Sequence, residues 1–126
     1  ERPLISAQCY RVAVQEGHTA SIAVSFKKPV SKEQIIDAWK HYEGKEISRD
    51  LPSSPKQKIT YFTEDDRPQA KFDAMTEKGM GFMTSRLRED KIFDYKFCGL
   101  SHNTIRGAAG GAILMAELLV KLGYIK

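Results

Sequence analysis

One helix start fixes how the rest of this chain can be read. In Val30-Ser31-Lys32-Glu33-Gln34-Ile35, Ser31 can accept a bond from the backbone of Gln34. Gln34 can return one to Ser31, which closes a capping box, and Val30 can staple to Ile35. Ile35, Ile36, Trp39 and Tyr42 then recur at helical spacing, and Gly44 suits the stop. Around this helix the apolar period drops to two. Tyr10, Val12 and Val14 alternate, and so do Ile22, Val24 and Phe26. Lys58 to Thr63, Met80 to Leu87 and Ile92 to Leu100 read as further strands. Lys45 to Gln57 is a polar loop with Pro52 and Pro55, Glu64 to Gln69 a turn, Ala70 to Lys78 irregular, and Arg88 to Lys91 a turn. A last helix is expected from about Thr104 to Leu122. Strands with few helices around one core place the chain in the α+β class.

The chain has 126 residues, 41% of them hydrophobic, enough for one core. Its formal charge of +4 comes from scattered lysines, without the basic stripe and interleaved aromatics of a nucleic-acid binder. No nucleic-acid partner is expected, and a small anionic substrate fits the balance as well. Cys9 and Cys98 make neither a disulfide framework nor a metal spacing, so a reducing, cytoplasmic setting is expected. Glu64-Asp65-Asp66 matches no oxygen-ligand loop, and no metal is expected there. The longest apolar stretch, Gly107 to Val120, contains Glu117 and is too short to span a bilayer. No membrane partner is expected and no signal peptide is read. The chain enters a strand-like segment soon after Glu1, and it is expected to be a piece of a longer polypeptide.

Chemistry concentrates in Ser6 to Val24. There a lone arginine, Arg11, and a lone histidine, His18, stand among small and apolar residues. A guanidinium fork matches a carboxylate at two points, and an imidazole exchanges protons near neutral pH. The bland alternative is a surface strand arginine and a satisfied turn histidine. Residues seven apart in an unbroken strand face opposite ways. A shared site therefore needs a bend, for which Gln15-Glu16-Gly17 is the place, with Gly17 at positive φ. Gly107, Gly110 and Gly111 in the first turns of the last helix each cost about 1 kcal/mol against alanine. They ask for a close approach by another backbone or a flat ring, or for tight helix-on-sheet packing. Asn103 can cap that helix or offer its amide to a ligand. Arg86 and Arg88 can bind an anion or pair locally with Glu89 and Asp90.

Arg11-Val12-Ala13-Val14-x-x-Gly17-His18 resembles the substrate-arginine and catalytic-histidine segment of the aspartate-semialdehyde dehydrogenase family, most of all its fungal branch. Asp66-Arg67-Pro68-Gln69, Arg86-Leu87-Arg88-Glu89-Asp90 and Leu100-Ser101-His102-Asn103-Thr104-Ile105-Arg106-Gly107-Ala108-Ala109-Gly110 are similar to the same family in the same order. The resemblance implies part of a glyceraldehyde-3-phosphate dehydrogenase-like catalytic and dimerisation domain over residues 1–102, a mixed sheet with helices on one face. Residues 103–126 would be a C-terminal helix returning to a nucleotide-binding Rossmann domain that lies outside this chain.

The implied reaction is the NADPH-dependent reductive dephosphorylation of L-aspartyl-4-phosphate to aspartate semialdehyde through a cysteine thioester, on the way to threonine, methionine and, in some organisms, lysine. His18 would be the acid/base and Arg11 the clamp on the substrate carboxylate. Asn103, Thr104 and Gly107 would lie at the NADP cofactor. Homodimers or homotetramers are implied. The chain has no Gly-x-Gly-x-x-Gly after a strand and no cysteine in the family's serine-asparagine-cysteine context, so alone it is expected to be inactive. Cys9 is expected to be an inert thiol. N-acetyl-glutamyl-phosphate reductase shares the chemistry but fits the motifs less well. A free-standing α+β module binding an anionic metabolite through Arg11 and Arg86 is the alternative of another class.

Overall fold

The computed structural model describes residues 10–126. Four strands form one mixed sheet in the order β1-β4-β3-β2, where β1 is His18–Val24, β2 Ile59–Tyr61, β3 Phe82–Glu89 and β4 Tyr95–Ser101. β4 pairs antiparallel with β1, His18 opposite Ser101 and Val24 opposite Tyr95. It also pairs antiparallel with β3, and β2 joins β3 in parallel. Met83 and Leu100 on the two central strands are fully buried, with Leu87, Ile35, Leu51, Ala74 and Met80 around them.

The helix that the capping box announces is α1, Lys32–Lys40. Ser31 Oγ accepts from the Gln34 N–H at 3.2 Å, and Gln34 Oε1 accepts from the Ser31 N–H at 2.8 Å. Ile35 is buried, and Trp39 lies against Phe97 of β4 and Tyr61 of β2 with ring centroids 4.9 and 5.8 Å apart. One face of the expected mixed sheet is thus covered by α1.

The opposite face carries an element that the sequence does not announce. Ala70 to Lys78, read as irregular, folds into a one-turn helix, α2 (Ala70–Asp73), and a tight turn over Thr76–Gly79. The cause is a single buried carboxylate. Asp73, 1% exposed, accepts from the Gln69 N–H at 2.6 Å and from Arg67 Nε at 2.7 Å. The Arg67 guanidinium also lies 4.6 Å from the Phe62 ring centre, and the Arg67 carbonyl accepts from Ser85 Oγ on β3. These bonds tie the 64–73 segment to the sheet.

Two strand expectations need correction. Tyr10 to Val14 forms no strand; Val14 N–H instead closes a tight turn onto the Val12 carbonyl at 2.9 Å. Alternation shows which residues could share a face, but a strand also needs a neighbour for its backbone. The segment has none among the described residues, and its apolar side chains are exposed. β3 runs through Glu89, past the expected turn at Arg88, after a bulge between Ser85 and Arg88 where Arg86 takes φ +57°. The turn falls later, where Asp90 Oδ1 accepts from the N–H groups of Ile92 and Phe93 at 3.0 and 3.1 Å.

The last helix starts wide. Residues Ile105–Ala109 form a π-helical turn, followed by α3, Gly110–Lys121. Gly111 sits where the two meet; a Cβ there would stand 2.6 Å from the Arg106 carbonyl oxygen. No residue of α3 is buried. Ile113, Met115 and Val120 remain exposed, and Glu117 anchors the helix by accepting from Ser53 N–H at 2.9 Å and Ser53 Oγ at 2.7 Å. Among the described residues no helix is long and apolar enough to cross a membrane.

Candidate functional site

His18 and Asn103 lie where β1 begins and just past the end of β4. His18 is the first residue of β1 and lies opposite Ser101, so its backbone is held by the sheet while its side chain is exposed. Its imidazole makes no hydrogen bond or ion pair among the described residues. The Arg11 guanidinium is likewise exposed and unpaired there, on the irregular stretch before the strand. No hydrogen bond joins the two among the described residues. The bend that a common site requires is present: Gly17 takes φ +98°. Unlike its neighbours it is buried, and a Cβ there would stand 3.1 Å from both Ala70 Cβ and Leu100 Cδ1. Glycine is therefore demanded twice, by its backbone angle and by its surroundings.

The residues that end β4 hold this bend from the other side. Asn103 Oδ1 accepts from the Gly17 N–H at 2.8 Å, across 86 residues of sequence. Next to it His102 is 4% exposed, and its Nδ1 accepts from the Ile105 N–H at 3.2 Å. That bond places the ring proton on Nε2 in the neutral form. Thr104 Oγ1 lies 3.2 Å from Glu16 Oε2 and 3.3 Å from His102 Nδ1. The Glu16 carboxylate is 3.8 Å from that nitrogen. Of the two tasks open to Asn103, helix capping is not observed: His102 takes an N–H of the first turn, and the asparagine oxygen is engaged with the loop. Reading by residue type passed over His102 and Glu16, because neither spacing nor composition marks them.

The three glycines separate by role. Gly110 is packed against Met80, whose Sδ would be 2.6 Å from an added Cβ, and Gly111 lies under the Arg106 carbonyl. Both are accounted for by packing within the chain. Gly107 is exposed, and a Cβ on it would meet only the His102 carbonyl at an ordinary 3.7 Å. Ala108 and Ala109 beside it are exposed too. The result is an open face of small residues at the start of the last helix.

The remaining candidates are simpler. Arg86 and Arg88 are exposed, and Arg88 Nη1 donates to the Arg86 carbonyl at 2.8 Å. The pairing with Asp90 does not form. That carboxylate takes Lys96 Nζ at 2.7 Å, and this bond with the Ile92 and Phe93 amides holds its pKa well below the usual carboxylate range. No metal-binding cluster occurs among the described residues, which include Glu64-Asp65-Asp66. Cys98 is a free thiol on β4, whereas Cys9 lies outside the described residues.

Comparison with known proteins identifies the family of the fold. A family profile described as "Semialdehyde dehydrogenase, dimerisation domain" matches residues 1–106. An aspartate-semialdehyde dehydrogenase of Saccharomyces cerevisiae is 44% identical over 123 residues, covering 96% of this chain and 34% of the relative. A malonyl CoA reductase (NADP) of Metallosphaera sedula is 37% identical, with 96% and 34% covered. The crystal structure of aspartate semialdehyde dehydrogenase with NADP from Candida albicans superposes with a TM-score of 0.76 at 37% identity, over 86% of this chain and 31% of that one. The chain spans about a third of the length of the relatives it matches. The matched profile and the superposed fold lead to one conclusion: this chain belongs to the semialdehyde dehydrogenase family and carries its dimerisation domain.

Proposed function

We propose that this chain is the catalytic and subunit-interface part of an NADP-dependent aspartate-semialdehyde dehydrogenase, completed by a nucleotide-binding portion with the thiol nucleophile. The observation that carries the reading is the exposed, unencumbered imidazole of His18, the first residue of β1, just after a bend held by Asn103. An acid/base group needs a fixed position and an unoccupied nitrogen, and His18 has both.

In this reading the imidazole takes the proton of the attacking thiol and returns one to the carbonyl oxygen as charge develops. Arg11 grips the α-carboxylate of aspartyl phosphate at two points. NADPH supplies the hydride when bound; the Asn103 amide, the Thr104 hydroxyl and the face at Gly107 would hold it. Residues 103–126 form the return to the nucleotide-binding portion, with the bare apolar side of α3 against it. Residues 1–102 serve the catalytic and dimerisation part. The assembly is a homodimer or homotetramer in the cytoplasm. The malonyl CoA reductase relative supports a second reading, in which an acyl-CoA replaces the acyl phosphate.

The test is NADP reduction by the full-length polypeptide with aspartate semialdehyde and phosphate. His18→Ala should lower kcat by about 10²–10⁴-fold with little change in substrate KM. Arg11→Lys should act mainly on substrate use, because one ammonium cannot reproduce a two-point grip. Normal turnover in His18→Ala would remove the assigned role. Turnover only with malonyl-CoA would favour the second reading.

A further inference from the structure

We infer that Asn103 is a positioning residue for His18, its side-chain oxygen fixing the backbone N–H of Gly17, the residue just before the histidine. The inference rests on the dehydrogenase reading and deepens it by giving one side chain two tasks.

Helix capping does not account for this oxygen. An asparagine just before a helix normally accepts from a free N–H of the first turn. Here the wide turn from Ile105 has no such bond from Asn103, and His102 Nδ1 takes the Ile105 N–H. The Asn103 oxygen instead reaches the one buried peptide in an otherwise exposed loop. Gly17 is then bounded on three sides, by Ala70, by Leu100 and by the asparagine. One residue later His18 enters register with Ser101. The asparagine therefore clamps the peptide joining residues 16 and 17 at the Gly17 N–H, and the sheet register takes hold from His18 onward, so the histidine stands on backbone held just before it and at it. A second tie supports the same loop, since the Thr104 hydroxyl meets Glu16 at 3.2 Å.

The donor decides which way the amide faces. Gly17 offers N–H, so the atom against it must be the oxygen. The NH2 group is thereby turned away from the loop, available to a hydrogen-bond acceptor such as the carboxamide of a nicotinamide. One amide thus spans histidine and cofactor. Loss of the oxygen frees the histidine, whereas loss of the NH2 group weakens the cofactor alone.

Asn103→Ala and Asn103→Asp separate the two in the full-length enzyme. Aspartate keeps an acceptor for Gly17 and loses the NH2 donors. In Asn103→Ala, kcat should fall about 100-fold, the scale of a reacting group displaced by about 1 Å. In Asn103→Asp, kcat should recover to within about fivefold of wild type while KM for NADP stays raised in both variants. Amide hydrogen exchange at Gly17 should quicken in Asn103→Ala and stay slow in Asn103→Asp, with β3 and β4 equally protected in all three proteins. Equal kcat losses in the two variants, or a raised NADP KM with kcat untouched in Asn103→Ala, would overturn the positioning role and leave the enzyme reading standing. Unchanged Gly17 exchange in Asn103→Ala would overturn it as well. A wild-type enzyme with no turnover would remove the dehydrogenase reading and this inference together.

Discussion

Replacing Asp73 by asparagine tests what holds the second face of the sheet. The carboxylate is 1% exposed and accepts from Arg67 Nε at 2.7 Å and the Gln69 N–H at 2.6 Å. Asparagine keeps the volume but turns one acceptor into a donor, which must then face either the guanidinium or the amide. Removing one member of a buried ion pair typically costs about 3–5 kcal/mol, because the other charge is left uncompensated. Here the survivor regains some solvation, since the Arg67 side chain is 28% exposed and keeps its place over Phe62. The lower end of the range, about 3 kcal/mol, is therefore expected. Set against a typical domain stability of about 5–15 kcal/mol, that is a large fraction.

The pH response adds an independent check. Burial pushes the Asp73 carboxyl up, but the Arg67 guanidinium and the Gln69 amide together hold it below the ordinary carboxylate value. A depressed folded-state pKa contributes stability above the unfolded value, and that contribution is lost as pH falls through the folded value. The gap between wild type and Asp73→Asn should stay constant from neutrality down to the ordinary carboxylate range, about pH 4, and close below it. Urea unfolding of the full-length protein at a series of pH values measures both quantities. A gap below about 0.5 kcal/mol at neutral pH, the size of an ordinary surface substitution, or one that widens on acidification, would refute the reasoning.

Two further substitutions probe the scaffold under the site. Gly17→Ala combines a Cβ at φ +98° with contacts of 3.1 Å to Ala70 and Leu100. It should cost about 2–4 kcal/mol, from a backbone penalty and an overpacking penalty, and lower kcat more than substrate KM; wild-type kcat in a folded variant would show that the bend does not place His18. Trp39→Ala removes the ring that joins α1 to Phe97 and Tyr61. It should cost about 3 kcal/mol in thermal unfolding yet leave kcat within about twofold, since Trp39 packs on the face opposite the Asp73 anchor; a large kcat loss at full stability would place it in the site.

What the sequence reveals here follows from how local each determinant is. The start of α1 is written in four consecutive residues whose side chains and backbone satisfy one another, so it forms where the capping box puts it. The bend at Gly17 is legible for a similar reason: one residue type tolerates that angle, and the demand appears in the letter itself. Asp73 carries no such mark. Its surroundings are typical of an exposed turn, and it becomes an anchor only because Arg67, six residues earlier, folds back over Phe62.

Tyr10 to Val14 fails in the opposite direction. Its alternation is genuine, but the pairing that would turn alternation into a strand is missing among the described residues. The site sits between these cases. His18 and Asn103 each stand out by type and by motif, whereas the bond that unites their segments spans 86 residues and joins a side chain to a backbone N–H. Backbone donors look alike in every sequence, so no pattern of letters could show that Gly17 was the partner. A motif therefore picks out candidate side chains far more readily than the bonds that hold their segments. Both ends of this bond lie in family-like motifs, and only the folded chain shows that the second one holds the first.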